Sequence, residues 1–350
     1  MATLATKSGA ANLLDFAKSL DPSGKTDKVV ELLSQVNEVL MDMMWIEGNL
    51  PTGHRTTVRT GIPQATWRQL YQGVPPVKTS RVQITDTCGI LEQRSEVDKD
   101  LADLNGNTAA FRLSEADGIV EGINQQMAQA LIYGDTSLNP ERFTGLAARY
   151  NTITVANAES AKNVISAGGS GNCTSVWLVV WGENTVCGIF PKGSKAGLVH
   201  QDLGEIDAFD GSNNRYRAYA DRWQWKCGLT VRDWRYVVRI ANISLTDLLG
   251  QSGTQANTAA TWLPKLLVKA MARIPYIGKG KPVFYASRTV KEMLAVGAMD
   301  KSQNVLSIQQ GFNQFGQVQP GFVSANGTVS VLGVPVRTVD QILETETALT

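Results

Sequence analysis

LIYGDTSLNPERFTGLAARY, residues 131–150, is the stretch on which the fold turns. It closes a helical pattern that starts at Ser114. Ser114-Glu-Ala-Asp117 reads as a capping-box start, and Ile119, Ile123, Met127, Ala130 and Leu131 then share one face. Gly134 supplies a C-cap. About 20 residues rising 1.5 Å each give a rod of roughly 30 Å. Glu121, Asn124, Gln125 and Gln129 fall on the opposite face, which places the rod at a surface. A Pro-marked turn at Asn139–Pro140 follows, then Phe143-Thr-Gly-Leu146. Nothing here is a catalytic or ligand constellation. The stretch is a structural join, where a rod stops and hands the chain on.

Upstream, residues 1–24 read as a short helical arm ending in the turn Asp21-Pro-Ser-Gly24. A helix is predicted over 25–46, with Val29, Leu32, Leu33, Val36, Val39, Leu40, Met43 and Met44 at helical spacing. Residues 48–85 are punctuated by Gly48, Pro51, Gly53, Gly61, Pro63, Gly73, Pro75 and Pro76 around short β-prone runs such as Arg55-Thr-Thr-Val-Arg59. That is an extended hairpin or loop, too long for an ordinary connection, and long ordered loops usually have a task.

Downstream the period shifts to two. Trp177-Leu-Val-Val-Trp181 reads as a buried strand. Trp223, Trp225 and Cys227 share one strand face. Trp234, Tyr236, Val238 and Ile240 share another, with Arg235 and Arg239 opposite. A helix is predicted over 262–274, where Pro264 fits only the first turn, and another over 288–298 after Ser287. Val329 to Leu343 is strand-like, with a bend at Gly333-Val-Pro335. No tandem repeat is present. The class is α+β.

The 350 residues allow two or three compact units. Charged residues are 19% and the net charge is +1. The low charge fits a surface given over to neighbours, and the balance lacks the basic excess of a nucleic-acid binder. Cys88, Cys173, Cys187 and Cys227 form no CxxC pair, so neither a disulfide framework nor a zinc knuckle is expected. No signal peptide and no apolar run near the roughly 18 residues of a membrane span is visible. A soluble protein made in a cytoplasm, without membrane partners, is the expectation.

The chemical inventory is thin. His54 and His200 lie far apart. His200, with Lys195 and Asp202 nearby, reads as a turn or surface histidine rather than a base. Gly188-Ile-Phe-Pro-Lys-Gly193-Ser-Lys195 echoes a phosphate loop with Lys and Ser in the wrong order. Asp98, Asp100 and Asp103, interleaved with Lys99, read as a solvated acidic face rather than a metal site. No nucleophile or nucleotide motif is present. No catalytic residue, cofactor or metal is expected.

Charge layout says more. From Gly48 to Thr85 the chain carries Arg55, Arg59, Arg68, Lys78 and Arg81 and no acid. From Asp86 to Glu121 the acids Asp86, Glu92, Glu96, Asp98, Asp100, Asp103, Glu115, Asp117 and Glu121 outnumber Arg94, Lys99 and Arg112. A basic projecting loop beside an acidic rod is self-complementary when copies stand side by side; two separately solvated elements would give the same pattern. On the first reading Arg55, Arg59 and Arg68 meet Asp98, Asp100 and Glu115 of an adjacent subunit. The basic, aromatic stretch Arg215 to Arg239 could bind single strands, but its alternation favours a half-buried sheet.

Several blocks carry a resemblance: Trp45-Ile-Glu-Gly-Asn49 with Pro51-Thr-Gly-His-Arg55, Thr66-Trp-Arg68, Tyr133-Gly-Asp135, Pro140-Glu-Arg-Phe-Thr-Gly-Leu146 and Asp233-Trp-Arg-Tyr-Val-Val-Arg239. From Asp21-Pro-Ser-Gly24 to Val334-Pro-Val-Arg-Thr-Val-Asp-Gln-Ile-Leu343 the chain resembles the major capsid proteins of tailed bacteriophages, of the short-tailed epsilon-fifteen type. The resemblance implies the Hong Kong-97-like fold: an N-terminal arm (1–47), an extended loop (48–85), a peripheral domain (86–150 and 311–350) with a spine helix at 114–133, and an axial domain (151–310). It implies a non-enzymatic shell protein forming hexamers and pentamers around double-stranded DNA. It also implies a virion capsid assembled in the cytoplasm of a bacterial host. The expected partners are other copies, a separate scaffolding protein, a portal protein, a cement or decoration protein, and packaged DNA met without sequence preference, with Lys7, Lys18, Lys25 and Lys28 of the arm facing inward. The alternative with the same fold is an encapsulin-like compartment shell. An oxidoreductase or hydrolase is disfavoured by the empty inventory.

Overall fold

The computed structural model describes residues 35–106, 108–210, 212–249, 258–299, 306–309 and 328–350. In chain order the strands are β1 (Trp45–Glu47), β2 (Gly53–Gly61), β3 (Ser80–Thr87), β4 (Gly89–Asp98), β5 (Val164–Ser166), β6 (Cys173–Trp181), β7 (Val186–Phe190), β8 (Leu198–Phe209), β9 (Arg215–Val231), β10 (Val237–Ser244), β11 (Lys281–Ala286), β12 (Leu306–Gln309), β13 (Thr328–Val331) and β14 (Val334–Thr338). The long helices are α1 (Thr108–Tyr133), α2 (Thr258–Arg273) and α3 (Arg288–Met299). The class is α+β, as the sequence predicts.

β6 is the hub, and every residue in it is buried. It pairs antiparallel with β10 on one side and β11 on the other. β14 joins β11 in parallel, and β5 joins β10 in parallel. Val176, Leu178 and Val180 point to one face, where Leu263, Leu267 and Ala270 of α2 and Val290 and Leu294 of α3 cover them. Trp177, Val179 and Trp181 point to the other, against Met127, Leu131 and Ile132 of α1 and Phe143, Leu146 and Tyr150. With both faces covered, the strand reads as a continuous apolar run instead of an alternating one.

β9 leaves this sheet. Its end, Gly228–Val231, pairs with β7, while its earlier part lies between β4 and β8. The first turns of α1 dock on this wing through Phe111, packed with Val97, Leu101 and Ala102 and with half-buried Tyr219. At the other end of α1 the join is as expected. Gly134 N–H donates to Ala130 O at 2.8 Å, and Gly145 N–H donates to Gly134 O at 2.8 Å. A Cβ on Gly134 would lie 2.4 Å from both Ala130 O and Phe143 O, so only glycine lets the two segments touch.

Several expectations are corrected. α1 starts at Thr108, not Ser114, because Ala109, Ala110 and Phe111 continue the helix onto the wing. At 26 residues it is about 39 Å long. Most of the helix expected over 25–46 lies outside the described residues. The described part holds one turn, Val39–Asp42, before β1, which pairs in parallel with β7. Pro264 sits inside α2 rather than in its first turn. Trp234–Tyr236 is a 3-10 turn, so the strand starts only at Val237.

Arg239 lies opposite Val238 and Ile240, as expected, but in the interior. Its guanidinium donates to Glu346 Oε2 (3.0 Å), Ser175 Oγ (3.1 Å) and Tyr150 O (2.9 Å) and lies 4.9 Å from the Trp177 ring centroid. Tyr133 Oη donates to Glu346 Oε1 at 2.5 Å, and Ser175 Oγ also donates to that carboxylate. One buried ion pair therefore ties the C-terminal tail, the sheet and the end of α1 together.

Candidate subunit interface

β2 and β3 form a separate two-stranded ladder, from Gly53↔Thr87 to Gly61↔Ser80. At about 3.3 Å per residue it projects roughly 26 Å from the body. Asn49 fixes its start, its side chain bonding both Arg55 N (2.7 Å) and Arg55 O (2.8 Å). Arg55 Nε donates to Thr85 Oγ1 at 3.3 Å. Arg59 stands directly opposite Arg81, both exposed. Like charges facing across a ladder oppose pairing, and no acid of the hairpin relieves them. Within the described residues none of Arg55, Arg59 and Arg68 forms an ion pair.

The tip between the strands, residues 62–79, carries what a reading centred on charge passes over. Ile62, Leu70, Val74 and Val77 are exposed, and Trp67 and Tyr71 are 99% and 105% exposed. A cluster of large apolar groups left in water marks a contact surface. The signal was present in the sequence as apolar residues recurring inside a Pro- and Gly-punctuated segment that has no core to join.

The acids lie elsewhere. Asp98 caps the turn Lys99–Ala102, accepting from Asp100 N at 2.9 Å. Asp100 is exposed there, and Glu115 sits on α1 with a partner inside the chain. Asp98 and Asp100 stand at the end of β4 remote from the hairpin root, with Asp98 nine residues or roughly 30 Å from Gly89, and Glu115 is one turn beyond Phe111, which packs on Val97 and Leu101. One chain does not bring them to the arginines. The acidic rod is also partly neutralised internally. Glu92 pairs with Arg222 (2.7 Å), while the segment's own Arg112 is held by Asp221 and Asp202 outside it (2.9 Å each).

The hairpin root is built into the core. Buried Asp86 accepts from Arg149 Nη2 (2.7 Å) and Thr230 Oγ1 (2.6 Å). Opposite it in the ladder, His54 is buried, and its Nε2 lies 3.0 Å from Arg232 Nη2. Arg232 can only donate, so that nitrogen accepts and the imidazole is neutral. Burial, and then Arg232, lowers the His54 pKa, with Asp86 opposing. Burial, aided by Asp86, pushes the neighbouring Cys88 thiol up to about 11, which makes it a poor nucleophile.

The remaining candidates are structural. His200 Nε2 bonds Asp221 Oδ1 at 2.9 Å, and its ring stacks on Trp223. The segment at Gly188–Lys195 runs strand, turn, strand and presents no helix N-terminus to a phosphate. Asp103 accepts from Thr108 Oγ1 at 2.8 Å, and no metal-holding group occurs among the described residues. No described helix is long and apolar enough to cross a membrane. What this molecule offers is a surface for contact.

The family model of major capsid protein GP7 matches residues 21–350. The solved structure of bacteriophage epsilon15 contains a chain 35% identical to this one, with 97% of this chain and 98% of that chain covered and a TM-score of 0.70. The capsid of a native GTA particle is similar at 12% identity over 64% of this chain and 96% of that one, TM-score 0.47. The capsid of bacteriophage JBD30 is similar at 10% identity over 89% and 92%, TM-score 0.46. No curated protein sequence matches the chain.

Proposed function

The chain belongs to the family of major capsid protein GP7, and from that premise we propose how it builds a shell. It is a capsid protein of a tailed bacteriophage; its copies form a multimeric shell and its place is the virion capsid. The observation that carries the proposal is the hairpin β2–β3, whose ladder is complete while its arginines form no ion pair and its apolar tip stays exposed among the described residues. In the proposal, Arg55, Arg59 and Arg68 meet acids of an adjacent subunit, among them Asp98, Asp100 and Glu115. The contact is head-to-tail and propagates into hexamers and pentamers. A single exposed pair contributes about 0–1 kcal/mol, but a shell repeats it at every subunit.

The division into arm, extended loop, peripheral and axial units belongs to the same proposal. The pairing of the first part of β9 with β4 on one edge and β8 on the other argues for moving β8 and that part of β9 to the unit that holds α1. A separate scaffolding protein, a portal and a decoration protein are the expected partners in a bacterial cytoplasm. The protein does no chemistry of its own. Double-stranded DNA meets the inner face without sequence preference, and a net charge of +1 leaves most neutralisation to ions. Lys7, Lys18, Lys25 and Lys28 lie outside the described residues.

Electron microscopy of the purified protein, alone and with a scaffold supplied, tests this. Shells or capsomer-sized rings are expected. A sharp monomer across concentration and salt, scaffold included, would sink the proposal.

A further inference from the structure

A concavity lies beside the hairpin root, between Gly89–Leu91 of β4, Gln126–Ala130 of α1 and the turn Glu141–Phe143, with Cys227 in its lining. Its volume is about 230 Å³. That is below the roughly 300 Å³ where small-molecule sites begin, and it is of the order of one large side chain. Exposed Ile90 belongs to its wall, and exposed Leu138 lies in the turn that leads to Glu141. Glu141, Gln126 and Gln129 put hydrogen-bond acceptors among the lining residues.

We propose that this groove receives Trp67 from the hairpin tip of a second copy of the chain. The inference rests on the shell reading and adds the seat of the contact. Three observations carry it. First, the pair cannot close within one molecule, because a ladder of roughly 26 Å separates the tip from the root where the groove lies. Second, the chemistry matches. Trp67 is an uncovered indole needing apolar cover and one acceptor for its N–H, and the lining supplies both. Arg68 arrives beside Glu141.

Third, the polarity matches. From Met127 of the groove back to Glu115 is about 18 Å along α1. A hairpin lying along α1 with Trp67 in the groove and its root toward the start of the helix carries Arg59 and then Arg55 toward the acidic end of the molecule, which holds Glu115, Asp98 and Asp100. Apolar anchor and charge pairs are favoured by one orientation.

The test is a bismaleimide crosslink between Gln69→Cys, two residues along the tip from an intact Trp67, and Gln126→Cys on assembled shells, with each single variant as control. Both positions are exposed, so neither change disturbs the core. The double variant should give a ladder of crosslinked dimers and higher oligomers, absent from the single variants and from unassembled subunit. A Trp67→Phe shell should form, and Trp67→Ala should raise the critical concentration for assembly at least tenfold. Shells that form normally but give no ladder overturn the groove and leave the shell reading intact. Failure of the unmodified chain to assemble under any condition overturns both.

Discussion

Two strand systems of this molecule have met opposite fates. β6 finds everything inside the chain: ladder partners on both edges, a helix layer on each face, and a charge network behind it. The hairpin β2–β3 is tied to the body only at its root, through Asp86 and His54, and its tip leaves a tryptophan and a tyrosine fully in water. Burying a large apolar side chain contributes about 1.5–3 kcal/mol. β6 collects that on folding. The hairpin tip forgoes it within its own described chain, and on the proposed contact another copy supplies it. If the proposed contact holds, the difference separates residues that specify the subunit from residues that specify the shell, and substitutions in the two regions should fail in different assays.

The largest effect on the subunit is expected at Arg239. Arg239→Met leaves the Glu346 carboxylate buried without its cation. Removing one partner of a buried pair costs about 3–5 kcal/mol. Urea unfolding of the unassembled subunit should record a loss of that size. Pairing it with Glu346→Met should recover much of the loss, since no orphan charge remains. A loss under about 1 kcal/mol in the single variant would mean that the network does not hold the tail, and the contrast between the regions would weaken.

The hairpin should behave the other way. Arg59→Glu with Arg68→Glu removes the charge facing Arg81 and touches no ion pair among the described residues. Folding stability should stay within about 0.5 kcal/mol of the parent, or rise by a few tenths as an opposed pair becomes an attractive one. Assembly should nevertheless be lost at low salt, when particles are counted by microscopy. If the variant assembles as the parent does at both low and high salt, the hairpin is not an electrostatic clamp, and its apolar tip carries the contact alone.

The core was the more legible of the two regions. Trp177-Leu-Val-Val-Trp181 reads as a buried strand, and Gly134 reads as the end of α1, though its close contact with Gly145 shows only in the fold. The start of α1 was less legible. Ser114-Glu-Ala-Asp117 is a fair cap locally, but docking of Phe111 on Val97 and Leu101 outweighs it, and a partner so distant in sequence gives no local sign. Arg239 reads as a solvent residue because its cation appears unpaired until Glu346, distant in sequence, returns beside it. At the interface the arginines stood out, since a segment without acids is visible in composition. The tip was hidden for the converse reason: apolar residues are ordinarily assigned to a core, and only the fold reveals that none is near.

The smallest effect should appear where the two regions meet. His54 is neutral and buried at the root, faced by Asp86 across the ladder and by Arg232 beyond β9, with Arg149 held behind Asp86. Burial and Arg232 set its folded pKa below the ordinary 6.5. The unfolded or detached form therefore takes up a proton first as pH falls. The stabilising contribution of the root is complete above pH 6.5 and declines as pH drops from there toward the folded value. Hydrogen exchange at the root amides, corrected for intrinsic rates, should report more frequent opening at pH 5.5 than at 7.5, while amides of β6 stay unchanged. His54→Gln cannot take up the proton, and its opening should be level between the two pH values. If parent and variant share the same pH slope, the imidazole does not govern the root. The hairpin would then be coupled to the body through Asp86, Arg149 and Thr230 alone.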